Sequence, residues 1–136
     1  MNEFLLIKKY LKPLSLNNPS ALNLSDDIYY DVKDKIAISV DTFVEGVHFI
    51  DSLYPKKFLR KILRAALSDL YCKGIKPDSY FLTFSINNKL AKPFWLKQVK
   101  KILNSEQKKF KIFLSGGDTT RSSKLIVSIV VLGKVK

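Results

Sequence analysis

The sequence has 136 residues, enough for one domain of ordinary size but not for two independent hydrophobic cores. Apolar residues make up 46% of it, which excludes a wholly disordered chain. Its 24 basic and 12 acidic residues give a formal net charge of +12 and favour an anionic partner such as a nucleotide, a nucleic acid or an acidic membrane. Only three of the basic residues are arginine, the side chain best suited to forked phosphate contacts, so nucleic-acid binding is disfavoured.

Cysteine usage and hydropathy indicate the cellular setting. Cys72 is the single cysteine, which excludes an internal disulfide and indicates a reducing compartment. No apolar run approaches the roughly 20 residues of a membrane-spanning helix. The amphipathic start of the chain has too short an apolar part for a signal peptide. We therefore expect a soluble, cytoplasmic protein.

The first half of the chain predicts a short helix, two strands and a longer helix. The N-terminal helix is expected to end near Pro13, before a polar loop. A short strand is expected around 28–32. The alternation of residues 35–41 predicts a strand with one strongly apolar face. Helical periodicity then extends from Pro55 to Lys73.

The second half predicts a strand at 79–87, a helix after Pro93, a strand at 111–115 and a very apolar strand at 125–133. The resulting order, α-β-β-α-β-α-β-β, indicates an α/β (α+β layered) fold, a mixed sheet with helices on one face. Because only three residues follow the apolar last strand, we expect that the domain continues or that its sheet pairs with another copy.

Scarce carboxylates mark the candidate functional positions. Asp26 and Asp27 lie in the polar loop, Asp41 ends a predicted strand, and Asp69 borders the apolar stripe of a helix. A carboxylate beside a buried face is costly unless it is paired with a cation or holds a metal ion. Since 21 lysines are available, a structural ion pair, a cap or a turn is the alternative role for each.

The loop predicted at Ser115–Thr120 places two glycines before an aspartate. Gly116 and Gly117 would let the backbone approach a ligand and expose N–H groups to an anion. Asp118 is suited to hold a Mg²⁺ ion that bridges phosphate oxygens. A tight turn before a threonine-rich hairpin is the structural alternative, and the segment matches neither the P-loop nor the dinucleotide-binding pattern.

The single histidine, His48, follows the predicted strand at 35–41. A lone loop histidine more often makes a structural hydrogen bond than it catalyses a reaction. Neither a serine or cysteine triad nor a zinc-type spacing of cysteines and histidines is indicated. Oxygen-ligated Mg²⁺ and phosphate chemistry remain.

Three segments in this order, SVDTFVEGVHF, LSDL and LSGGDTTR, resemble the thiamine-monophosphate kinase family. That family belongs to the superfamily of aminoimidazole ribonucleotide synthetase, selenophosphate synthetase and the hydrogenase-maturation dehydratase. The resemblance runs from about Leu24 to Gly133 and implies the N-terminal-domain fold of aminoimidazole ribonucleotide synthetase. Residues 1–136 are then expected to form a single ATP- and Mg-binding N-terminal domain, with the family's C-terminal domain absent from this sequence.

The resemblance implies transfer of the ATP γ-phosphate to thiamine monophosphate, which yields thiamine diphosphate. Catalysis then consists of positioning two polyanions and neutralising their repulsion with Mg²⁺, without a catalytic side chain. The metal-binding positions implied by the family pattern are Asp27, Ser39, Val40, Asp41, Asp69 and Asp118.

The resemblance also implies nucleotide, substrate and subunit contacts. Gly117 and Asp118 correspond to ATP-binding positions, and His48 to a position that touches the thiamine substrate. Family members pair through their N-terminal sheets, so a homodimer with ATP near its interface is expected.

Departures from the family pattern leave alternatives open. Ser25 replaces a glycine, Ala66 replaces an asparagine, and Val40 replaces a common threonine, which leaves only the Val40 carbonyl for a metal. Without a second domain, the chain is expected to be a fragment or one piece of a split gene, with slow or no turnover by itself. The alternatives are another ATP-using member of the superfamily and a non-catalytic basic module that binds nucleotides or nucleic acid.

Overall fold

A five-stranded mixed sheet lies at the centre of the computed structural model, which describes residues 2–136. The strands, in chain order, are β1 (Ile28–Asp31), β2 (Ile36–Val44), β3 (Pro77–Ile86), β4 (Phe113–Arg121) and β5 (Ile126–Lys134). They lie in the order β1-β2-β5-β3-β4. Neighbouring strands are antiparallel except for the parallel pair of β3 and β4, which confirms the predicted mixed sheet.

The helices confirm the predicted element order. They are α1 (Glu3–Leu6), continued by a π-helical turn (Ile7–Leu11) and a 3-10 turn (Lys12–Ser15), α2 (Leu59–Tyr71) and α3 (Pro93–Phe110). Two further 3-10 segments are Pro19–Leu24 and Pro55–Lys57. No helix within residues 2–136 is both long enough and apolar enough to cross a membrane.

The hydrophobic core lies between the sheet and the layer formed by α2 and α3. Strand β5 turns Val127, Ile129 and Val131 toward this layer, and all three are fully buried. Burying one branched side chain of this kind stabilises the fold by roughly 1.5–3 kcal/mol. The prediction of helices on one face of the sheet is therefore confirmed.

The strongly apolar face of β2 points away from the helices. The opposite face of β2, which carries Ala37, Ser39 and Phe43, is buried, whereas Val40 on the apolar face is 62% exposed. Small side chains on β2 let α2 approach closely, and Ala66 of α2 is fully buried as well. The alternation of β2 was predictable, but its hydrophobicity alone does not identify the face that α2 covers.

A buried carboxylate joins the two long helices. Glu106 of α3 is 1% exposed and accepts hydrogen bonds from Arg60 Nε at 2.9 Å and from Arg64 Nε at 2.8 Å. Burial opposes ionisation of Glu106, but these hydrogen bonds outweigh it and hold the pKa of its carboxyl below the ordinary value. Two of the three arginines thus stabilise the contact between α2 and α3.

The predicted loop at Ser115–Thr120 is wrong, because β4 continues through this segment as an edge strand. Its pairing with β3 shifts register between Tyr80 and Phe81 and then continues to Arg121. A Cβ atom at Gly117 would overlap the carbonyl oxygen of Leu82. The second glycine is therefore required by a close backbone approach within the sheet.

Replacement of Gly117 tests this close approach. We expect Gly117→Ala to lower the free energy of unfolding by about 1–3 kcal/mol, because β4 must move away from Leu82. Gly116→Ala is the matched control, since a Cβ there meets only ring carbons of Phe81 at 3.3 Å. Urea denaturation measures both losses, and equal losses for the two variants would contradict the proposed packing.

Candidate metal-binding site

Two carboxylates meet where β2 passes beneath α2. Asp41 lies on the same face of β2 as Ser39, toward the helices, and the half-buried Asp69 of α2 lies close enough for its carboxyl to be affected directly by that of Asp41. Burial, followed by this contact with Asp41, raises the pKa of Asp69 to about 7. Without a cation between them, the negative charge of Asp41 therefore opposes ionisation of Asp69.

The loop before β1 places two more carboxylates, those of Asp26 and Asp27, near Asp41 and Asp69. The negative charges of Asp27 and Asp26 add to that of Asp41 in raising the pKa of Asp69. We refer to Asp26, Asp27, Asp41 and Asp69 as the carboxylate cluster. The structure therefore brings together three of the predicted metal-binding aspartates, Asp27, Asp41 and Asp69.

Asp26 and Lys73 belong to this arrangement, although sequence reasoning did not assign them to the site. Lys73 Nζ donates a hydrogen bond to Asp26 Oδ2 at 2.6 Å. This bond lowers the pKa of Asp26 and raises that of Lys73. Because Lys73 follows Asp69 by four residues, about one helical turn, the spacing was a usable signal for a cation beside the cluster.

Two oxygen atoms at the floor of the cluster have no hydrogen-bond partner within residues 2–136. They are Ser39 Oγ, on a residue that is 3% exposed, and the buried Asp41 Oδ2. An unsatisfied buried polar group costs about 1–3 kcal/mol. Hydroxyl and carboxylate oxygens are ligands that Mg²⁺ accepts, so these residues fit a hard divalent cation.

The side chains do not form a closed metal cage. Among residues 2–136, no group of three or more His, Cys, Asp or Glu side chains is arranged so that it could hold a metal ion by itself. Mg²⁺ is commonly bound through one or two carboxylates together with water and substrate phosphates. The contact between Asp41 and Asp69 matches that open type of site, in which a phosphate ligand completes the coordination.

Asp118 lies away from the carboxylate cluster within a single chain. It is exposed on β4 and aligned with Thr83, which lies on the sheet face opposite the helices. Strands β2 and β4 are three strand spacings apart, or about 14 Å. The predicted convergence of Asp118 with Asp41 and Asp69 therefore does not occur within one chain, because β4 is an edge strand and Asp118 faces outward.

His48 makes the structural hydrogen bond that its loop position predicted. The Val44 N–H donates to His48 Nδ1 at 2.9 Å, and the ring meets Phe43 edge to face at 5.5 Å. In the neutral ring the proton must then lie on Nε2, which can donate to a ligand. The exposed His48 lines a cavity of about 260 Å³ together with Lys57 and Lys61.

A larger cavity adjoins the loop that carries Asp26 and Asp27. It measures about 520 Å³ and is also lined by apolar and basic residues of the N-terminal helical segment, namely Phe4, Ile7, Lys8 and Lys12. Cavities of roughly 300–1,000 Å³ are typical of small-molecule sites. Apolar and cationic groups thus lie beside the carboxylates.

Comparison with known proteins identifies similar chains. The family model for the AIR synthase related protein, N-terminal domain, matches residues 24–135. The thiamine-monophosphate kinase of Buchnera aphidicola subsp. Schizaphis graminum is 33% identical over 99% of this chain and 42% of its own length. That of Caulobacter vibrioides is 36% identical over 96% of this chain and 38% of its own length. The chain therefore spans about two-fifths of the length of these curated relatives.

Solved structures confirm the fold. Thiamine monophosphate kinase from Aquifex aeolicus superposes with a TM-score of 0.83 and 22% identity, over 99% of this chain and 43% of that one. A structure of AaThiL complexed with AMPPCP and TMP gives a TM-score of 0.81 at 22% identity, over 97% of this chain and 41% of that one. The expected N-terminal-domain fold and the resemblance carried by the three sequence segments are both confirmed.

The raised pKa of Asp69 predicts how stability changes with pH in the absence of metal. The folded state keeps a proton up to about pH 7, whereas the unfolded chain releases it near the ordinary value of 3.8. The associated stability is complete below that lower value and is lost as the pH rises through the folded pKa. At about pH 8 with a chelator, we expect Asp69→Asn to raise the free energy of unfolding by about 1–2 kcal/mol, after allowance for solvent screening.

Denaturation with urea across this pH range, with a chelator present, measures the effect. Asp78→Asn, which removes a carboxylate outside the carboxylate cluster, is the control and should leave the pH dependence unchanged. A metal-free Asp69→Asn protein that is less stable than the wild type at about pH 8 would contradict the assigned repulsion.

Proposed function

The chain belongs to the AIR synthase related protein family through its N-terminal domain, and on this basis we propose that it binds Mg–ATP for the phosphorylation of thiamine monophosphate to thiamine diphosphate. The observation that carries the proposal is the closeness of Asp41 and Asp69, on the strand face that also carries Ser39, whose Oγ has no hydrogen-bond partner within residues 2–136. The relatives named thiamine-monophosphate kinase and the AaThiL complex with AMPPCP and TMP support this choice of phosphate donor and acceptor.

The oxygen ligands proposed for Mg²⁺ are the carboxylates of Asp27, Asp41 and Asp69, the Ser39 hydroxyl, the Val40 carbonyl and, from a second copy of the chain, the carboxylate of Asp118. When bound, the metal supplies positive charge that offsets repulsion between the two phosphate groups. The acceptor phosphate is already anionic, so the protein needs no strong general base. Its residues bind and orient the two anions, and no catalytic side chain is assigned.

We further propose that a homodimer forms through the outer face of the sheet, the face opposite the helices. Strand pairing aligns Val40, Val130 and Phe81 across three adjacent strands of this face. The adjacent row contains Thr42, Ser128, Thr83 and Asp118, and Thr42 Oγ1 lies 2.9 Å from Ser128 Oγ. An apolar sheet face of this kind suits packing against a second sheet about a two-fold axis.

In this dimer, Gly117 and Asp118 of one copy would contact ATP held at the carboxylate cluster of the other copy. Both residues lie on an edge strand and Asp118 lies on the outer face, which makes them available to a partner. The proposed contact to the thiamine substrate is made by His48, through Nε2. Residues 1–136 then act as a single ATP- and Mg-binding domain, and a cytoplasmic location fits ATP use and the free Cys72.

The alternative of a nucleic-acid-binding module receives little support from the arrangement of the arginines. Arg60 and Arg64 are committed to Glu106. Forked phosphate contacts depend on arginine more than on lysine. The basic surface is therefore made almost entirely of lysine, which suits general attraction of anions.

Calorimetry with Mg–ATP tests the nucleotide site. We expect Asp41→Asn and Asp118→Asn each to weaken Mg-dependent ATP binding about tenfold or more, because each removes an anionic oxygen ligand. Asp34→Asn, which lies outside the carboxylate cluster, should bind as the wild type does. If the site is shared between copies, mixed Asp41→Asn and Asp118→Asn chains should regain one intact site per mixed dimer.

Wild-type protein that binds ATP equally well with and without Mg²⁺ would overturn the proposed site. Failure of the mixed chains to regain binding, while each variant remains dimeric, would overturn the shared arrangement. The effect of Asp41→Asn on Mg-dependent ATP binding would then decide whether the metal site is correct.

The dimer surface has a separate test. We expect Val130→Lys to convert a dimer into a folded monomer, because it places a charge in the middle of the apolar outer face. Sedimentation velocity measures the change. Leu96→Lys on α3 adds the same charge on the helical side and should remain dimeric; dissociation by both variants, or by neither, would contradict the outer-face interface.

A further inference from the structure

Lys73 ties the loop that carries Asp26 and Asp27 to the end of α2. Within residues 2–136, its hydrogen bond to Asp26 Oδ2 at 2.6 Å is the one side-chain bond between this loop and the turn that follows α2. The other oxygen of the same carboxylate, Oδ1, accepts the backbone N–H of Asp27 at 2.7 Å. The two oxygens of Asp26 thus connect Lys73 directly to the backbone of Asp27.

The lysine is anchored on a well-defined turn. Its own N–H donates to the Leu70 carbonyl at 2.9 Å, and the Ile75 N–H donates to the same carbonyl at 3.0 Å. Gly74 adopts a left-handed conformation with φ of +72°, which lets the chain reverse there, and Ile75 is buried in the core. Lys73 therefore projects from a rigid support.

We propose that Lys73 is a positioning residue, which holds Asp26 so that Asp27 stays beside Asp41 and Asp69 for metal binding. This inference rests on the proposed function, since it assigns Asp27 to the metal and Asp26 to the lysine. Asp26 is half-buried and bonded on both oxygens, whereas Asp27 is exposed on the same loop. The lysine thereby separates the roles of two consecutive aspartates.

Lys73 also has an opposing electrostatic effect on a metal ion. Its positive charge reduces the attraction of the carboxylate cluster for a divalent cation. Removal of Lys73 would thus tighten Mg²⁺ binding if charge alone mattered and weaken it if positioning mattered more. Removal of the Asp26 charge would weaken Mg²⁺ binding in both cases. The Lys73 substitution therefore distinguishes the two effects, and the Asp26 substitution shows that the titration detects a weakened site.

Calorimetric titration of the full chain with MgCl₂, with and without ATP, makes this comparison. We expect Lys73→Met and Asp26→Asn each to weaken Mg²⁺ binding about two- to fivefold, which is the range that an exposed ion pair supports. Lys73→Arg should stay within about twofold of the wild type, because it keeps the charge and the donor. Lys76→Met, which loses the same charge three residues later, is the matched control and should bind as the wild type does.

Tighter binding by Lys73→Met with weaker binding by Asp26→Asn would show a charge effect alone and overturn the inference. Unchanged binding by Lys73→Met would overturn it as well. Amide hydrogen exchange of residues 25–28 without metal is the second measurement, and we expect faster exchange in Lys73→Met than in the wild type. Equal exchange rates would show that Lys73 does not hold the loop.

The two proposals fail on different results. Absence of Mg²⁺ binding by the wild-type chain would overturn the proposed function and the assignment of Asp27 to a metal. The exchange comparison would then still decide whether Lys73 holds the loop. A wild-type chain that binds Mg²⁺, with a Lys73→Met variant that behaves identically, would overturn only the role of Lys73.

Discussion

Repulsion among carboxylates at the junction of β2, α2 and the loop before β1 is the constraint on which the rest of this site depends. Asp69 shows it most clearly, since burial and the neighbouring charges raise the pKa of its side chain to about 7. A protein selected for stability alone would place apolar groups at such a junction. Here buried oxygens of Ser39 and Asp41 have no hydrogen-bond partner in the part of the chain that the structure describes, an arrangement that a bound cation would complete.

The two faces of the sheet differ in what covers them. The face beneath α2 and α3 contains the core and, at Ser39 and Asp41, the floor of the cluster. The outer face is apolar in the row of Val40, Val130 and Phe81, although no helix of the described chain covers it. The proposed metal site would therefore lie on the helical side of the sheet, near the loop before β1, and the proposed pairing of copies would use the outer face of the same sheet.

Much of the fold was predictable because it follows from local periodicity. The strand alternation, the stripe of α2 and the proline at the start of α3 gave the element order and the layering. The sheet order, the outward direction of the apolar face of β2 and the extension of β4 through Gly117 depend on contacts distant in the sequence. For the candidate site, positions at element ends and borders singled out Asp27, Asp41 and Asp69, and the family resemblance assigned them to a metal. The contact of Lys73 with Asp26 spans 47 residues.

The pairing of Arg60 and Arg64 with Glu106 has a consequence for how the molecule meets its ligands. With these guanidinium groups engaged against a buried anion, the positive field around the protein comes mainly from flexible lysines. Such a field accelerates diffusional encounter with a polyphosphate but contributes little to its residence time. Rising ionic strength should therefore lower the association rate constant for a polyphosphate ligand far more than it changes the dissociation rate constant.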